Sequence, residues 1–167
     1  MYAKPKGSFL GAAGQIYVMS ELLARKWNVA IPIVDVGDDV LVVDDEEKTL
    51  IRIQVKTGIT STAKDGTAKV MFNLQMSQLE TSFQSQLIFA LALRDKDGWT
   101  GILWIERESL LQLRIDFEQR YPFRHGTGIS DRIALTLKID PAGKTTGWRS
   151  DFTPYLKDID SIFPHLP

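Results

Sequence analysis

The run Asp38-Asp39-Val40-Leu41-Val42-Val43, a polar reversal, and then Ile51-Arg52-Ile53-Gln54-Val55-Lys56-Thr57 decide how this chain folds. Both runs are rich in the aliphatic and β-branched residues of strands, while Asp44-Asp45-Glu46-Glu47-Lys48 between them resists strand and favours a turn. In the second run Ile51, Ile53 and Val55 alternate with Arg52, Gln54 and Lys56. Strand side chains alternate between faces, so Gln54 and Lys56 are expected on the same one. A hairpin closing near Glu46 sets Asp39 opposite position 53 or 54, to within a residue or two, because the turn type decides the register. A carboxylate, an amide and an ammonium then gather at one end of the hairpin, a set suited to a metal ion and a water.

At 167 residues the chain suits one domain with a substantial core. Its 44% hydrophobic and 25% charged residues match a folded globular protein rather than a disordered one. Cysteine is absent, which excludes disulfides, thiolate zinc sites and cysteine nucleophiles, and agrees with a reducing compartment. Met1-Tyr2-Ala3-Lys4-Pro5-Lys6 lacks a signal peptide's apolar core, and no run is long enough to span a bilayer. The expected location is therefore cytoplasmic, with no membrane partner. A formal net charge of -1 gives no global attraction to nucleic acid, so a binding face must be a local patch.

Along the chain, Lys6-Gly7-Ser8 reads as a helix approach with Ser8 as N-cap. Over 11–26, Ala12, Ile16, Met19, Leu22 and Leu23 share one side of a helical wheel, with Gln15 at its edge and Glu21 facing solvent. Residues 28–34 read as a strand, edge-like or bent at Pro32. Small polar residues make 58–66 a loop, 68–74 returns as a strand, and 77–86 is ambiguous between loop and short helix. The unbroken apolar run 87–93 suits a strand covered on both faces. A turn at 95–98 leads to a strand at 99–105, a helix at 108–113 and an irregular segment at 116–130. The alternation of Ile133, Leu135, Leu137 and Ile139 marks another strand, 141–147 a turn, and Phe152, Tyr155, Leu156, Ile159 and Ile162 a short terminal helix. Repeats and linkers are missing, and the element order implies a single α/β or mixed α+β domain over 1–167.

Gly14-Gln15 in the first helix, Asp39 opening an apolar strand, and Gln54-Val55-Lys56-Thr57 together resemble the PD-(D/E)XK nuclease superfamily. The likeness is to its small homing-endonuclease-like and Holliday-junction-resolvase-like branches. It covers roughly 7–58, and more loosely the strands to Glu106. It implies a restriction-endonuclease-like core, a central mixed sheet flanked by helices, over about 7–106, with 107–167 as a C-terminal elaboration. It also implies phosphodiester hydrolysis in DNA, duplex or branched, by a homodimer or higher homo-oligomer. Asp39 would bind a divalent metal, Mg²⁺ or Mn²⁺, with Gln54 in or next to its coordination. Lys56 would orient the attacking water or stabilise the transition state, and Gln15 would complete the catalytic set.

Two positions depart from the pattern. Gln15 stands where these branches often carry Glu, and Gln54 where the strand motif is usually acidic. Asp39 is left as the one matched carboxylate, with Asp38 as a helper, and substrate phosphates can supply further oxygens. Candidate contacts to nucleic acid near Lys56 are Arg25, Lys26, Arg52, Lys64 and Lys69. Plainer readings stand beside each assignment. Asp38 and Asp39 also suit an ordinary strand start after Gly37, Gln54 and Lys56 the solvated side of a half-buried strand, and Gln15 the margin of a helix stripe. The alternative function is a nucleic-acid-binding or assembly protein with a degenerate site. A domain unrelated to DNA is the third reading, and it predicts no basic surface around Lys56.

Overall fold

The computed structural model describes residues 6–33, 38–44, 49–81, 86–121 and 131–156. The chain opens with helix α1 (Lys6–Ala24), followed by strands β1 (Asn28–Ala30), β2 (Val40–Asp44) and β3 (Thr49–Ile59). Next come β4 (Ser61–Thr62), β5 (Ala68–Gln75), the short helix α2 (Met76–Glu80), β6 (Leu87–Arg94) and β7 (Trp99–Glu106). Helix α3 (Arg107–Arg120) leads to β8 (Arg132–Ile139), β9 (Thr145–Gly147), β10 (Ser150–Asp151) and a 3₁₀ turn at Thr153–Tyr155. No helix among the described residues is long and apolar enough to cross a membrane.

The strands form two sheets. The first runs β1-β2-β3-β6-β7 and is mixed, because β3 and β6 pair in parallel and every other neighbour is antiparallel. The second, β10-β9-β8-β5-β4, is antiparallel throughout. Helix α1 covers one face of the first sheet, where Val18 and Leu22 meet Val40, Ile53, Val55 and Ala90. The second sheet, with α2 and α3, covers the other face, where Phe89 and Leu91 meet Phe72, Leu79, Leu110 and Leu135. The central strand β6 is therefore buried on both faces from Leu87 to Leu93, as its unbroken apolar run requires. Each large side chain fully buried there contributes roughly 1.5–3 kcal/mol.

Several elements differ from the sequence reading, each for a physical reason. Helix α1 already includes Lys6, so Ser8 lies within it and is not an N-cap. Its inward face is Gly14, Gln15, Val18 and Leu22, flanked by Met19, whereas Ile16 is 66% and Leu23 55% exposed. The helical wheel weighed hydrophobicity, but the sheet selects the face on which Gly14 permits close approach. After Ala24 the helix ends in a Schellman arrangement: the Lys26 and Trp27 amides donate to the Leu23 and Leu22 carbonyls at 2.9 and 3.1 Å, with Lys26 at φ 66°. Strand β1 stops at Ala30, and Ile31 and Ile33 lie exposed around Pro32. Residues 58–66 are not all loop, since β3 continues to Ile59 and β4 follows at once.

Helix α3 runs on to Arg120, so 116–120 is regular rather than irregular; Arg114 and Glu118 pair one turn apart at 2.5 Å within it. Part of 141–147 is strand β9, which hydrogen-bonding to β8 stabilises despite its small polar residues. Phe152, Tyr155 and Leu156 pack around the 3₁₀ turn and not along an α-helix, while Ile159 and Ile162 fall outside the described residues.

Strand β3 is squeezed from both sides. A Cβ built on Gly14 falls 1.9 Å from Thr57 Oγ1, and one on Gly58 falls 2.3 Å from Val70 Cγ2 and 3.0 Å from Phe72 Cε1. Glycine at 14 lets α1 touch β3, and glycine at 58 lets β5 touch the opposite face. A helical Gly→Ala change normally stabilises by about 1 kcal/mol. Here Gly14→Ala is expected to destabilise in urea unfolding, and Thr57→Ala in the same chain should recover most of the loss. Gly58→Ala, which overpacks against two fixed side chains, should cost about 1–3 kcal/mol. Unchanged midpoints for both single variants would refute the close packing.

Candidate active site

Register brings the hairpin residues together. Val40 pairs with Ile53, and the Asp39 amide donates to the Ile53 carbonyl at 3.0 Å, so Asp39 lies opposite Gln54 at the mouth of the hairpin. Val40, Val42, Ile53 and Val55 turn inward to α1, which leaves Gln54 and Lys56 on the face towards α2 and the second sheet. Gln54 is 6% exposed, and Lys56 is half-buried. The turn residues 45–48 lie outside the described residues.

Asp39 is the hub. Its Oδ2 accepts from Gln54 Nε2 at 2.5 Å and from the Val55 amide at 2.7 Å. Its own carbonyl accepts from Gln15 Nε2 at 2.5 Å, which joins α1 to the start of β2. Gln15 therefore meets the site as the edge of the helix stripe suggests, though through the backbone of Asp39 and not its carboxylate. The Gln54 Oε1 in turn accepts from Gln78 Nε2 of α2 at 3.1 Å. Gln78 Oε1 is buried and finds no hydrogen-bond donor among the described residues, and a buried, unsatisfied acceptor is costly unless a water or an ion reaches it.

Helix α2 is only a single turn, so its ends need outside partners. Asp131 supplies one: its carboxylate accepts from the Ser77 amide at 2.7 Å and its carbonyl from the Met76 amide at 2.7 Å. Arg107, nearly buried at the start of α3, donates to the Leu79 carbonyl at 2.7 Å. These contacts hold Gln78 against Gln54. Nothing in the sequence marks Gln78, because its partners come from positions 107 and 131, remote in the chain.

The remaining candidates are distributed differently. Asp38, 9% exposed, accepts from Arg52 Nε at 2.7 Å, so its charge is matched within the protein. Arg25, just past the end of α1, pairs with Glu21 of that helix at 3.0 Å. Lys64 is exposed in the turn between β4 and β5, and Lys69 lies on the outward face of the second sheet. Lys26 caps α1. The structure thus joins Gln15, Asp39 and Gln54, carries Lys56 on the same strand face as Gln54, adds Gln78, and spreads the other cations over separate surfaces. Trp104 and Phe89 are buried in the core, and Trp99, half-buried against it, stacks on Tyr17, ring centroids 4.6 Å apart, with Arg94 across its ring. Burial beside Trp99 and the nearby Glu21 carboxylate push the Tyr17 phenol's pKa above its ordinary value.

Among the described residues no cluster of three or more His, Cys, Asp or Glu is placed to hold a metal. The donors at this site are instead the Asp39 carboxylate and the amide oxygens of Gln54 and Gln78. All are hard oxygens, which fit Mg²⁺ or Mn²⁺, ions that need few protein ligands and keep waters or substrate oxygens.

The fold overlaps that of a bacterial homing endonuclease, I-Ssp6803I, with a TM-score of 0.52 at 16% identity, over 95% of this chain and 93% of that one. Hjc, a Holliday junction resolvase from the archaeal hyperthermophile Archaeoglobus fulgidus, aligns with a TM-score of 0.46 at 11% identity, over 91% of this chain and 93% of that one. No curated protein sequence matches the chain. Residues 7–86, from α1 to the approach of β6, match the sequence profile of the PD-(D/E)XK endonucleases. That matched span holds Gln15, Asp39, Gln54, Lys56 and Gln78, so every residue of the site lies in the part of the chain that is similar to the PD-(D/E)XK endonucleases, on a restriction-endonuclease-like fold.

Proposed function

We propose that this protein is a metal-dependent DNA endonuclease that hydrolyses phosphodiester bonds at the mouth of the β2–β3 hairpin. The observation that carries the reading is the closure of Asp39 onto Gln54 and the Val55 amide, immediately before Lys56, within the family-matched span. Asp39, with the amide oxygens of Gln54 and Gln78, would hold Mg²⁺ or Mn²⁺. A bound ion would supply Lewis-acid polarisation of the phosphate and a more acidic water.

The chain's own residues account for the rest. Lys56, half-buried on the Gln54 face, places a positive charge where it can orient the attacking water and offset charge growing on the phosphate oxygens. Gln54 fixes the rotamer of Asp39 by donating to one carboxylate oxygen. Gln15 is a positioning residue: it ties the Asp39 backbone to α1. Cutting both strands of a duplex calls for two such sites, which a homodimer provides. The exposed row Phe9, Ile16 and Leu23 on α1, spaced by seven residues, offers an apolar face for a second copy.

A second reading keeps the fold and drops the reaction. It is favoured by the fact that Asp39 Oδ2 already accepts two hydrogen bonds, while Asp38 is engaged by Arg52.

Incubation of supercoiled, linear and branched DNA with Mg²⁺ or Mn²⁺ should give cleavage that a chelator abolishes. Asp39→Ala and Lys56→Ala should each lower the rate by about 10² or more. Gln78→Ala should raise the metal concentration for half-maximal rate roughly tenfold. Variants that cut as fast as wild type would overturn the assignment of the site, and DNA binding without cleavage by wild type would establish the second reading. For the assembly, Ile16→Asp should reduce the mass measured by light scattering from dimer to monomer; a wild-type monomer would refute it.

A further inference from the structure

Away from the hairpin, an open groove of about 370 Å³ lies between the C-terminal half of α3 and the outward face of β8 and β9. Arg114, Lys138 and Arg149 line it together with the hydroxyls of Thr136 and Thr146, and none of its lining residues among those described is acidic. Its floor is Trp148, 8% exposed, whose indole donates to the Ala134 carbonyl at 3.0 Å. The Arg114 guanidinium sits 5.4 Å from the Trp148 ring centre, and that of Arg149 sits 4.0 Å from the ring of Tyr121.

Two features make this more than a solvated surface. Trp148 and Arg149 form the two-residue turn between β9 and β10 with φ of 45° and 58°. Turns of that kind normally take Asn-Gly, since L side chains resist the left-handed region, so an unfavourable backbone is retained to present a tryptophan and an arginine here. In addition, Lys69 and Lys138 stand directly opposite each other on the antiparallel β5–β8 pair, both exposed. Like charges so placed repel and weaken the pair unless a counter-charge lies over them. Farther along β8, Arg132 points outward on the same face. Its separation from Lys138 is about 20 Å at strand rise, longer than one phosphate and suited to a polymer of phosphates.

The nearby acids among the described residues are tied into their own turns or to one partner. Asp140 accepts from the amides of its own turn, Ala142 and Lys144, each at 2.9 Å, and Asp151 from the Thr153 amide at 2.8 Å. Glu118 offsets Arg114 alone.

We propose that the outward face of the second sheet, centred on the groove of Arg114, Lys138 and Arg149, is a DNA-backbone surface separate from the β2–β3 hairpin. It holds a flank of the DNA by phosphate contacts that carry no sequence information. The proposal rests on the reading of this chain as a DNA endonuclease, and it adds where the uncleaved part of the substrate lies.

The test is fluorescence anisotropy with a labelled duplex and the full chain, in chelator so that nothing is cut, across a salt series. Lys138→Ala with Arg149→Ala removes two exposed cations and should weaken binding on the order of tenfold at low salt. The same variant should lower the slope of log affinity against log salt by roughly 0.9 for each phosphate that is no longer neutralised. Thr136→Glu, an exposed position on the same face, should weaken binding in the same direction. Lys96→Ala, in the β6–β7 turn, serves as a control for charge and should change neither. If wild type binds and both groove variants keep its affinity and salt slope, the surface is refuted while the endonuclease reading stands. If wild type binds no DNA at any salt, both fail together.

Discussion

The arrangement depends on β3 being clamped between two layers at adjacent residues. Thr57 meets α1 where Gly14 has no side chain, and Gly58 itself has no side chain where β5 brings Val70 and Phe72. A protein interior transmits such contacts because it is packed nearly as densely as a crystal. The clamp sits beside Lys56 and three residues beyond Gln54, so it also fixes how far β3 can slide or tilt at the site. A one-residue slip would put Val55 on the site face and Gln54 against α1. The buried apolar positions Ile53 and Val55 oppose that slip, and the glycines let α1 and β5 close directly onto the strand at this point. Precise placement of an amide and an ammonium thus comes from two absences of side chain and two aliphatic residues.

The hairpin and the central strand were legible because their signals are local. Alternation in Ile51 to Lys56 and the unbroken apolar run at Leu87 to Leu93 state their faces without help from the rest of the chain. The second sheet was not legible as a layer. Its strands β4, β9 and β10 are two or three residues long, with polar composition, and exist only through pairing with β5 and β8. Helix α1 shows a related failure. Its hydrophobicity is spread around the cylinder, so Ile16 and Leu23 looked inward although the packed face is chosen by Gly14 and Gln15. The site was partly legible for the same reason: Asp39, Gln54 and Lys56 belong to one hairpin, while Gln78 arrives through α2, whose place is set by Asp131 and Arg107 from distant parts of the chain.

The two glutamines can be understood through what an amide does that a carboxylate does not. Gln54 donates to Asp39 with one end and accepts from Gln78 with the other, making a chain of neutral partners around a single charge. A glutamate at position 54 would set two carboxylates within hydrogen-bonding distance. Like charges at that separation cannot both remain ionised without a proton or a cation between them. A site built on paired acids is therefore organised by its metal. The one in this chain is organised by hydrogen bonds, with Asp39 already oriented and its helix and strand already tied together. On the proposed reading the cost lies in affinity: with one matched carboxylate in the set, a cation would gain less charge from the protein and depend more on oxygens brought by the substrate phosphate. On the proposed endonuclease reading, that dependence would couple occupancy of the site to the presence of nucleic acid, so that a weak ion site and a substrate held elsewhere on the surface would become parts of the same design.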